Sequence, residues 1–184
     1  TQNATVFLLW GLYQGKWYIV KEYYYSGRDA SLQKSDVQYS KELKKFLGDI
    51  IPVKIIVDPS AASFITQLRQ DGFKNILQAR NDVLDGIRTV ASALNLGLFY
   101  VNDICKETLK EFSSYTWDPK KLDKGIEEVL KDKDHCMDAV RYFIYTILRY
   151  NIDAKYDDSV YEKGKGVIKN TSGDPYNRKG GSIF

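Results

Sequence analysis

Two strand-like runs, TVFLLWGLY from Thr5 to Tyr13 and KWYIVKEYYY from Lys16 to Tyr25, stand on either side of Gln14-Gly15. β-Branched and aromatic runs around a short turn containing glycine make a β-hairpin, so any sheet in this chain starts antiparallel. Lys21 and Glu22 interrupt the second run, as a strand with one solvated face requires.

Beyond the hairpin the pattern changes to alternating helices and short strands. Ser35 opens SDVQYSKELKKFLGD, in which Val37, Leu43, Phe46 and Leu47 fall on one helical face and Gly48 is the stop. Pro52 leads into VKIIV, short and β-branched like a strand covered on both faces, and this run ends in Asp58-Pro59-Ser60 before the helical AASFITQLRQDG. A strand over Phe73 to Gln78, a helix VLDGIRTVASALNLG, an extended LFYVND and a helix in KETLKEFSSYTWD come next. The charged KKLDKGIEEVLKDKD then leads to a long final helix. An antiparallel hairpin joined to β/α units makes a mixed sheet with helices on its faces. The RNase H-like fold has this element order, and flavodoxin-like or other α/β sheets remain open.

The final helix has two unlike ends. In KDKDHCMDAVRYFIYTILRY the part from Ala139 onward is apolar and aromatic, whereas the start carries three aspartates and the chain's only histidine. His135 and Asp138 are three apart and Asp134 and Asp138 four apart, so they share a face. If this helix crosses the sheet, its first turn approaches Asp58, which ends a strand where α/β proteins place ligands. Clustered carboxylates repel one another unless a cation joins them, and hard ions such as Mg²⁺ or Mn²⁺ take carboxylate oxygens. The competing reading is local: Asp134 as a helix N-cap, and Asp58-Pro-Ser as a capping turn.

Composition bounds the rest. The chain's 184 residues suit one domain with a sizeable core, spanning 1–150, and a Gly- and Lys/Arg-rich extension over 151–184. A net charge of +3 permits nucleic-acid binding without requiring it. No apolar run nears the roughly 18 residues that cross a bilayer, so no membrane partner is expected. The abrupt start reads as a fragment of something longer. Cys105 and Cys136 lack metal-ligand spacing and read as two buried reduced thiols of an intracellular protein. GxxxxGK[ST] and GxSxG are both absent, which leaves no phosphate loop, no other cofactor and no serine elbow to infer. The tyrosines, Tyr115, Tyr142 and Tyr145 among them, read as core and sheet-face residues rather than base-stacking platforms. Arg69, Arg80 and Arg88 could meet phosphates, although isolated arginines are usually solvated or ion-paired.

Four blocks in order, VDPSAASFITQLRQDGF, ARNDVLDGIRTVASAL, CKETLKEFSSYTWD and KDHCMDAVRY, resemble the C-terminal nuclease domain of the large terminase subunit of tailed bacteriophages, in the group also found in defective Bacillus-type prophages. The likeness runs from about Thr1 to Tyr150. It implies an RNase H-like fold and a metal-dependent endonuclease that cuts concatemeric double-stranded viral DNA with little sequence preference. It implies a pair of Mn²⁺ or Mg²⁺ ions, held by Asp58 and Asp138, with His135 as a further ligand or proton-handling group and Asp134 capping or supporting. The implied partners are DNA, the portal protein, the small terminase subunit and a separate terminase ATPase domain. The implied location is the host cytoplasm, outside the virion.

One element departs from that pattern. The family has a further aspartate on its first strand, in a segment resembling Asp-Tyr-Gly-Thr-x-Asn, and Thr1-Gln2-Asn3 looks like the end of it. Either the molecule has further residues before Thr1 that supply it, or this chain lacks one metal ligand. In the second case it is expected to bind metal weakly and cut DNA poorly or not at all, and Glu22 is not assumed to replace it. Two other readings compete: an inactive module that docks on DNA or the portal, and a Holliday-junction or RNA-hybrid nuclease on the same fold.

Overall fold

The computed structural model describes residues 4–28, 30–130 and 134–150. The hairpin forms as β1 (Thr5–Tyr13) and β2 (Lys16–Tyr25), antiparallel, with Thr5 opposite Tyr25 and Tyr13 opposite Lys16. Gln14 and Gly15 both take positive φ, 48° and 71°, as primed two-residue turns require. Leu9 faces Lys21 and Trp10 faces Ile19, so Val20 is the extra residue of a bulge.

The remaining elements alternate as the sequence predicts. They are α1 (Asp36–Leu47), β3 (Ile55–Val57), α2 (Ala62–Gln70), β4 (Ile76–Gln78), α3 (Val83–Asn95), β5 (Phe99–Val101), α4 (Lys106–Ser114), a short α5 (Pro119–Leu122) and α6 (His135–Phe143), which runs on as a π turn over Ile144–Leu148. Helix α1 starts where expected because Ser35 and Gln38 form a reciprocal capping box, and Gly48 ends it at φ 58°. Val37 is not a core residue: it is 44% exposed, and Tyr39 is buried instead.

Strand pairing differs in one respect from a single continuous sheet. β5 joins β2 in parallel, giving a mixed ladder β1-β2-β5, while β3 and β4 form their own parallel pair. Side chains bind the two ladders together. Phe7 of β1 and Val57 of β3 share a core with Tyr39 and Phe46 of α1 and Ile65 and Leu68 of α2. Phe7 stacks on Tyr23 with ring centroids 4.8 Å apart. On the other face α6 packs against both β1 and β3, and Phe143 stacks on Trp10 at 4.0 Å. Helices therefore cover both faces of an α/β arrangement. The two cysteines are buried and free, and no helix among the described residues is long and apolar enough to cross a membrane. The expected extension over 151–184 lies outside the described residues.

Candidate functional site

Asp58 follows β3 directly, and its carboxylate has two duties. Oδ1 accepts the backbone N–H of Ser60 at 2.8 Å, which shapes the turn into α2, and Oδ2 accepts the hydroxyl of Tyr142 at 2.8 Å. The turn-forming reading of Asp58 and an approach to α6 are thus both realised. One side chain does both because the turn uses one oxygen and leaves the other facing the helix.

The start of α6 is held differently from the sequence expectation. Asp134 occupies the N-cap position, but its side chain makes no capping bond. Glu111 of α4 does that work, its Oε2 accepting the N–H groups of Cys136 at 2.6 Å and Met137 at 3.1 Å. The first-turn amides of a helix carry partial positive charge, so a carboxylate from another element serves as well as a local one. Burial pushes the Glu111 carboxyl up to about 7, against the opposing pull of those two amides, and its Oε1 is buried without a partner. Glu22 is also not the solvated residue its strand position suggests. Its oxygens accept Glu107 N–H, Thr108 N–H and the Thr108 hydroxyl at 2.8–2.9 Å, and so they cap α4.

Asp138 lies one turn into α6. Its Oδ1 accepts from Nη2 of Arg141 at 2.6 Å, and Nη1 of the same guanidinium donates to the carbonyls of Asn81 at 2.9 Å and Asp82 at 3.3 Å. Burial would lower the Arg141 guanidinium, but the bond to Asp138 and its charge outweigh this and hold it above its ordinary value. Tyr142, the next residue, is raised first by burial, then by its bond to Asp58 and by the charges of Asp138 and Asp58. Tyr115 is pushed up to about 12 by burial and by Asp138. Asp58 is therefore bonded to a phenol that stands four residues after Asp138 on the same helix. Nδ1 of His135 lies 4.0 Å from Oδ1 of Asp134.

Charge balance here does not require an ion, because Arg141 supplies a cation to Asp138. The donors nevertheless suit one in kind. Mg²⁺-like ions keep several waters and need only one or two carboxylates. Asp58, bonded to α6 through Tyr142, and Asp138 on that helix are carboxylates of the kind required, while no group of three His, Cys, Asp or Glu able to hold a metal occurs among the described residues.

Three participants escaped sequence reasoning. Arg141 and Tyr142 stand three and four residues after Asp138, a spacing that could have flagged them. Glu111 sits inside an ordinary charged helix, and nothing local distinguishes it. Arg88 behaves as an isolated surface arginine should, pairing with Glu127 at 2.8 Å.

A family model described as "Terminase RNAseH like domain" matches residues 1–145. The large terminase subunit of Escherichia phage T5 is 25% identical over 139 residues, which is 72% of this chain and 30% of that protein. The large terminase of a thermophilic bacteriophage, solved in complex with ATP-gamma-S, is 55% identical, with a TM-score of 0.77 over 80% of this chain and 38% of its own. The chain thus spans well under half of these relatives. The large terminase nuclease domain of bacteriophage SPP1, solved with bound Mn, is 17% identical with a TM-score of 0.59, over 77% of this chain and 78% of its own. That likeness speaks for the fold. With these matches, the hairpin leading into β/α units and the acidic start of α6 have one explanation: the chain belongs to the terminase RNase H-like domain family, that of the nuclease domain of large terminase subunits.

Proposed function

We propose that this domain is a metal-dependent endonuclease of a viral DNA-packaging motor, hydrolysing phosphodiesters of concatemeric double-stranded DNA with little sequence preference. The observation that carries the reading is the hydrogen bond that ties Asp58, at the end of β3, to Tyr142 of α6, the helix whose first turn carries Asp138. Mn bound to the related SPP1 domain supports a divalent ion, Mn²⁺ or Mg²⁺, singly or as a pair.

Asp58 and Asp138 would hold it, with His135 as a further ligand or proton carrier. When bound, such an ion lowers the pKa of its water and stabilises charge on phosphoryl oxygens. Asp58 is fixed by the turn into α2 and by Tyr142, and Asp138 by Arg141, so both carboxylates are oriented in advance. Backbone phosphates are alike at every base pair, which fits weak sequence preference. In the whole subunit the domain would work beside an ATPase domain, with the portal and the small subunit, in the host cytoplasm.

The test is nicking of supercoiled plasmid in Mn²⁺. Cleavage by the 184-residue chain that falls at least 100-fold in Asp58→Ala and Asp138→Ala, a loss typical of metal-ligand removal, supports the reading. Variants that cut like the parent would refute the ligand assignment. A parent that binds DNA without cutting it would favour the docking module.

A further inference from the structure

We infer that Arg141 is the positioning residue for Asp138: a buried guanidinium, locked from the α3 side, that fixes the carboxylate's orientation for an incoming cation. This rests on the metal-site reading above.

The arginine is 4% exposed and cannot follow a moving partner. Nη1 is committed to the carbonyls of Asn81 and Asp82, just before α3, and the guanidinium carbon lies 4.8 Å from the centre of the Tyr142 ring. Its stem lies across Gly86 of α3, where a Cβ would come within 2.6 Å of Cγ and 2.8 Å of Cδ. The seat is thus shaped by an absent side chain and closed by two carbonyls. From it, Nη2 donates to Oδ1 of Asp138 at 2.6 Å.

A planar fork with fixed donors orients a carboxylate in a way that a point charge cannot. Charge alone would have the opposite consequence, since a cation beside Asp138 repels a second cation. The two roles separate in the variants. If Arg141 positions, then Arg141→Lys keeps the charge and loses the effect. If it merely neutralises, Arg141→Lys behaves as the parent and Arg141→Gln binds metal more tightly.

The experiment is Mn²⁺ binding to the full chain by calorimetry, with each variant's fold checked by thermal melting. Arg141→Lys, Arg141→Gln and Gly86→Ala should each weaken binding by about ten- to hundred-fold, the range lost when a hydrogen-bond partner of a metal-bound side chain is removed. Parent-like affinity in Arg141→Lys, or tighter binding in Arg141→Gln, overturns the inference. Asp138→Asn separates the two readings: loss of binding there with parent-like Arg141→Lys sinks only the positioning role, whereas parent-like binding in both Asp58→Asn and Asp138→Asn sinks the metal site itself.

Should the variants not fold, the parent protein decides. Titrating it with Mg²⁺ should shift the Arg141 guanidinium resonances in an NMR spectrum. Unmoved resonances at saturating Mg²⁺ overturn the role.

Discussion

Helices α4 and α6 start in the same way and with different consequences. Each has its first-turn amides capped by a glutamate from another element: Glu22 of β2 serves α4, and Glu111 of α4 serves α6. Glu22 is half-buried and uses both oxygens, three bonds in all. Glu111 is 3% exposed, uses one oxygen and leaves the other buried without a partner. The first cap is closed. The second trades stability for location, because it lies immediately beneath the turn that carries His135 and Asp138. The two caps also form a relay, from sheet to α4 and from α4 to α6, through which the hairpin indirectly sets where the acidic turn lies.

The largest test of this contrast is Glu111→Ala, which strips the Cys136 and Met137 amides of their acceptor and leaves a hole. It should cost about 3–4 kcal/mol at pH 5, read by urea unfolding. The pH dependence comes next. A folded-state carboxyl at about 7, above the ordinary value of 4.5, means the folded protein holds a proton that the unfolded chain has lost. Glu111's contribution is therefore fully present below pH 4.5 and lost as pH rises through about 7, a fall of up to about 3 kcal/mol. Asp134 adds to this rise, and Glu111→Gln should flatten the profile between pH 5 and 7.5 while keeping an acceptor for both amides.

Two smaller effects complete the ranking. Glu22→Ala opens the closed cap and should cost about 2 kcal/mol, measured by the same unfolding curves. Tyr142→Phe removes only the bond to Asp58 and should cost about 1 kcal/mol, seen as a small drop in Tm. A Glu22→Ala loss larger than that of Glu111→Ala would reverse the ranking of the two caps.

Much of the fold could be read along the chain because its signals are local. The turn at Gln14-Gly15, the capping box at Ser35 and the strand end at Asp58 each depend on a few neighbouring residues. The helical spacing of the DHCMD turn also named Asp138 and His135 as candidates. Val37 misled because helical periodicity shows which residues share a face and not where that face ends. Asp134 misled for another reason. An aspartate at an N-cap is favoured only while nothing better reaches the same amides, and Glu111 does reach them.

By itself, then, the sequence determined the order and type of the elements and singled out the candidate carboxylates, because propensity, turn chemistry and periodicity act over a few residues. Tertiary structure alone decided the division into two ladders, the handover of α6's cap to Glu111, and the seating of Arg141 over Gly86. Each of these joins residues distant in the chain, as Glu111 and Cys136 are at 25 positions apart. Such contacts depend on which surfaces meet once the core closes, and no local pattern records them.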